Sequence, residues 1–89
     1  MRAVITVLGT DRVGIIAGVS ATLAEANVNI LDITQTIMQG IFTMIMVVDT
    51  GISNISFEEL DQRLKAKGDA LSLQIRIQRE DIFNSMHRI

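Results

Sequence analysis

The chain has 89 residues, a net charge of −2 and no cysteine. That balance leaves no electrostatic footprint for nucleic acid or an anionic membrane, and the lack of cysteine excludes disulfides, thiolate metal sites and thiol redox chemistry. One domain around one core is expected at this length, yet 48% of the residues are hydrophobic and only 3% aromatic; that is more Ile, Val, Leu, Met and Ala than a small monomer readily hides, so a partner surface is expected.

Ala3 to Leu8 is almost wholly apolar and β-branched, the composition of a central strand buried on both faces. Asp11 and Arg12 follow where a signal peptide needs small cleavage-site residues, and no apolar run approaches the roughly 20 residues that span a bilayer. A soluble, cytoplasmic chain is expected. Asp11 is expected to be the N-cap of a first helix in which Val13, Ile16, Ala17, Ser20, Leu23 and Ala24 recur at helical spacing, with Asn27 as its stop. Val28 to Met38 reads as a long strand, Gln39-Gly40 as a two-residue hairpin turn, and Ile41 to Asp49 as the returning strand. A loop over 50–55 leads to Ser56, which with Glu59 forms a capping box. The second helix carries Phe57, Leu60 and Leu64 on one face and is expected to end at Lys65, Lys67 and Gly68, the lysines being ordinary C-terminal charges.

Leu71, Leu73, Ile75 and Ile77 then alternate with Ser72, Gln74, Arg76 and Gln78, which predicts a strand with one buried and one wet face. Beyond it Ile82, Phe83, Met86 and Ile89 share one side of a short C-terminal helix that needs something to dock on. The order β-α-β-β-α-β with right-handed crossovers predicts an α+β, ferredoxin-like domain over residues 1–79, with a tail over 80–89. Its sheet is antiparallel and four-stranded, with both helices on one face. Phe42, Met44, Met46 and Val48 alternate with Ile41, Ile45 and Val47, so the third strand is apolar on both sides. A second copy of the chain is the expected cover for the open face or an edge, helped by the apolar tail.

The stretch from Gly9 to Ala17 is where a small acidic ligand would bind. A buried strand gives way there to a helix start, Gly14 lets a group approach the backbone, and the first-turn N–H groups have no partner inside the helix. The same pattern also arises where glycines only shape a turn and seat a helix. Asp11 has a capping role in either case, and its carboxylate can also hold a ligand ammonium while the Gly14 and Ile15 amides meet a ligand carboxylate. Arg12 is expected to point to solvent. Asn29 has two readings, a ligand contact or a bridge to free backbone groups at the helix-strand turn. Asp32 is read as a solvated rim residue. Met38, Met44 and Met46 are read as adaptable packing, and His87, the only histidine, as exposed rather than metal-bound.

Gly9-x-Asp11-Arg12-x-Gly14-Ile15, the helix end Ala24-Glu25-Ala26-Asn27 and the strand opening Val28-Asn29-Ile30 resemble the ACT domain family. The likeness covers residues 2 to 79 and is to the short stand-alone ACT proteins of bacteria and archaea with an extra C-terminal helix. The resemblance implies a regulatory module, not an enzyme, that acts as a homodimer and holds an amino acid where two domains meet. Asp11, Gly14 and Asn29 are the matching contact positions, with Ile15 beside them, and no cofactor is implied. Val13 stands where many members have proline. With no enzyme or DNA-binding domain in this sequence, regulation is expected to pass through a separate protein partner. A helix N-terminus contributes about 0.3–1 kcal/mol and a charge-assisted hydrogen bond about 1.5–3, so three or four contacts suit micromolar to millimolar binding.

The main alternative is a protein–protein adaptor with no metabolite ligand. Acylphosphatases share this topology, and Arg12 and Asn29 are formally available for that chemistry, but the loop lacks a closely spaced glycine cradle. RNA-binding sheets of this topology need exposed aromatics, and the chain has only Phe42, Phe57 and Phe83.

Overall fold

A computed structural model describes residues 1–81. The apolar N-terminal run forms β1 (Arg2–Thr10), followed by α1 (Ile15–Glu25), β2 (Asn29–Met38), β3 (Ile41–Asp49), α2 (Phe57–Leu71) and β4 (Leu73–Arg79). The strands make one antiparallel sheet in the order β2-β3-β1-β4, the ferredoxin-like arrangement. Ala3, Ile5 and Val7 of β1, Phe42, Met44, Met46 and Val48 of β3, and Leu73, Ile75 and Ile77 of β4 point to the helices. There they meet Ile15, Val19 and Leu23 of α1 and Leu60 and Leu64 of α2. The alternation expected for the third and last strands therefore separates core from surface.

Several local signals produce the elements they encode. Gln39 and Gly40 both have positive φ, 53° and 81°, as a tight two-residue hairpin turn requires. The Ser56 hydroxyl accepts from the Glu59 amide at 3.1 Å and caps α2. Asn27 takes the left-handed conformation just past α1 at φ 59°, and the bond its side-chain amide donates to the Ile52 carbonyl at 2.9 Å holds it there.

Other expectations are corrected. α2 does not stop at Gly68 but runs to Leu71, with Ser72 closing it in the left-handed region at φ 58°. Gly68 is buried inside the helix because a Cβ there would lie 2.8 Å from the Leu73 carbonyl oxygen, where β4 turns back against α2. Lys65 and Lys67 accordingly lie outside the last turn, and Lys65 pairs with Asp61 four residues earlier at 3.2 Å. β1 is central but not buried on both faces, since Leu8 on its outer side is exposed. Met44 and Met46 are core, whereas Met38 at the end of edge strand β2 is exposed. The expected C-terminal helix and His87 lie outside the described residues, apart from Glu80 and Asp81, which have helical backbone.

Candidate ligand site

β1 ends by pairing with the hairpin. Thr10 stands opposite Ile41, and the Asp11 amide donates to the Gly40 carbonyl at 2.8 Å, so the chain stays extended one residue beyond the strand. That contact delays the helix. The N-cap of α1 is Gly14 and not Asp11: Gly14 turns the chain at φ 95°, ψ 0°, and no side chain caps the first turn. Asp11 is exposed and sits three residues too early for its carboxylate to serve as the cap.

The uncapped end is open. A Cβ built on Gly14 meets nothing within 4 Å, and Val13 beside it is 100% exposed. The Ile15 side chain is in the core, so only its backbone borders this loop. Gly9 does a different job, because a Cβ there would stand 2.5 Å from the Leu73 side chain; it lets β1 and the start of β4 approach closely. Arg12 does not simply point to solvent. Its Nη1 donates to the Leu71 carbonyl at 3.0 Å, tying the loop to the last turn of α2, where a cation also meets the negative end of the helix dipole.

Asn29 lies elsewhere. It opens β2 opposite Asp49, which in turn faces Arg2, whereas Asp11 follows Thr10 at the far end of β1. Eight residue steps of strand separate the two ends, roughly 25–30 Å at strand rise. Within one chain Asp11, Gly14 and Ile15 are together and Asn29 is not with them. Asn29 instead borders a shallow cavity of about 450 Å³ with Ala24, Asn27, Val28, Asp49 and Ile52. Asp49 accepts from the Gly51 amide at 2.8 Å and faces the N-terminal ammonium at 3.5 Å. Chiefly through the Gly51 bond, its carboxyl is held below the ordinary carboxylate value. Asp32 is exposed, follows a bulge in β2 and accepts from its neighbour's amide, Ile33, at 2.8 Å, as fits a rim residue.

Arg12 and Asp49 were the residues that chain-order reading undervalued. The partner of the first is 59 positions away and that of the second is the chain start. Among the described residues, no three His, Cys, Asp or Glu side chains come together in a way that could hold a metal ion, and no helix is long and apolar enough to cross a membrane.

The ACT domain family model matches residues 2–78, which is nearly all of the described fold. The chain belongs to the ACT domain family. ACT domains are regulatory, ligand-binding modules, and they often sense amino acids. The chain is 57% identical over 89 residues to a UPF0237 protein of Clostridium acetobutylicum, with 100% of both chains covered. It is similar to the solved structure of an ACT domain protein from Streptococcus pneumoniae, at 43% identity and a TM-score of 0.81 over 93% of each chain. A formyltetrahydrofolate deformylase from Pseudomonas syringae pv. tomato also contains the fold, with 25% identity and a TM-score of 0.80 over 88% of this chain and 27% of that one. The same ACT fold thus occurs both in a chain of about this length and as a quarter of a larger enzyme.

Proposed function

We propose that this protein is a homodimeric regulatory module that binds a small amino acid at a site made by two copies. The observation that carries the reading is the open start of α1 at Gly14, where a carboxylate would meet first-turn amides that no side chain caps. The nearby Asp11 carboxylate would take the ligand ammonium. Asn29 is too distant to join them within one chain, but β2 is an edge strand. Antiparallel pairing of β2 with β2 of a second copy would bring Asn29 of the partner subunit alongside Met38, at the end of the sheet where Asp11 also stands. Support for that pairing comes from β2 itself: Leu31, Ile33, Ile37 and Met38 are all exposed on the unpaired edge strand, a surface that favours association.

Only binding is ascribed to this loop, with no chemistry: Arg12, the one cation in it, is engaged by Leu71. Calorimetric titration with each standard amino acid tests the proposal. One or more should give heat with micromolar to millimolar affinity, lost in Gly14→Val and in Asn29→Ala. Absence of heat for all of them at millimolar concentration overturns the ligand reading. The exposed Val13 favours the adaptor reading as the second choice. That reading predicts partner capture unaffected by Gly14 and Asn29 substitutions.

A further inference from the structure

The face of the sheet turned away from the helices carries a gradient of exposure. Along β1 the outward residues run from Val4, 4% exposed, through half-buried Thr6 to Leu8 at 46%. On β3, Val47 opposite Val4 is half-buried, while Ile45 is 41% and Ile41 54% exposed. On β4, Gln78 opposite Val4 is half-buried and Arg76 and Gln74 are exposed. Three adjacent strands thus become less exposed toward the same end, and that is the end at which the chain leaves β4. There Glu80 pairs with Arg2 at 3.2 Å, which ties the exit to the outer side of β1.

Eight residues follow Asp81, among them Ile82, Phe83, Met86 and Ile89. We infer that the outer face of the sheet is the docking surface for this chain's own residues 82–89, whose apolar side chains cover Val4, Thr6 and Val47. The reach is adequate. Val4 to Leu8 spans about 13 Å at strand rise, and eight residues extend about 12 Å even at the short rise of a helix. The covered end, the position of the exit and the apolar content of the segment all select the same occupant. Docking there closes the outer face to a second copy and leaves the β2 edge for pairing. The inference does not depend on a ligand.

Methyl NMR on the full chain tests it. Cross-relaxation is expected between the Phe83 ring and the methyl groups of Val4 and Val47, and a Phe83→Leu chain should lose the ring-current shifts of those methyls. A sample mixing labelled and unlabelled chains separates contacts within a chain from contacts between chains. Contacts that appear only between chains overturn the inference in favour of a second copy as the cover. Absence of any contact between Phe83 and either valine also overturns it. A Phe83→Asp chain should bind more of a dye that reports exposed apolar surface than the parent does, and unchanged dye binding counts against the inference.

Discussion

The two edges of the sheet are both built from apolar-rich strands and end up differently. In β4 every second residue is buried: Leu73, Ile75 and Ile77 are each 7% exposed, because α2 lies over them and packs closely enough to require glycine at position 68. In β2, Ile33 and Ile37 point to the same side of the sheet as the helices, yet they are 42% and 53% exposed, since α1 makes little contact with this strand. An apolar strand face is core only where a second layer covers it. The β4 edge is finished within the chain, and the β2 edge is unfinished without something else.

The largest effect that separates the edges is expected from Ile77→Ala. It should lower unfolding stability by about 2–5 kcal/mol in a denaturant titration, independent of protein concentration. Ile33→Ala should cost less than about 1 kcal/mol at dilution, and more only at concentrations where copies pair; an equal loss for both variants at every concentration would break the comparison. Gly68→Ala comes next. The added Cβ meets the Leu73 carbonyl oxygen, and a net loss of about 1–3 kcal/mol is expected, although alanine is about 1 kcal/mol better than glycine in an unconstrained helix. Arg12→Ala removes the bond to the Leu71 carbonyl, and an exposed bond of this kind is expected to contribute about 0.5–1.5 kcal/mol to thermal stability.

The smallest effect concerns pH. The Asp49 carboxyl is held below its ordinary value of 3.8 by the Gly51 amide and the N-terminal charge. A carboxyl depressed in the folded state adds stability that is present above its unfolded value and is lost as pH falls through the folded one. Asp49→Asn should therefore flatten the stability profile below pH about 4, its small loss of stability being present at neutral pH and vanishing in acid, where the parent carboxyl is also uncharged.

Much of the fold was legible because its signals are local. Ser56 and Glu59 are three residues apart, Gln39-Gly40 is a turn by itself, and the alternation from Leu73 to Gln78 shows one wet face without reference to any neighbour. The site was less legible. Asp11 reads as a cap because aspartate often is one, and the pairing of its amide with Gly40, a contact across 29 positions, moved the helix start to Ile15. Gly68 reads as a stop for the same reason, and the close approach of Leu73 makes it a packing residue instead.

Taken alone, the order of residues determined the element types, the hairpin, the α2 cap and the inward faces of β3 and β4, since each depends on periodicity or on neighbours a few positions apart. Tertiary structure alone decided where α1 begins, that Arg12 closes α2, that Asn29 and Asp11 stand at opposite ends of the sheet, and that β2 is the uncovered edge. Those outcomes follow from strand order and layer coverage, and they arise only when segments distant in the chain are brought together.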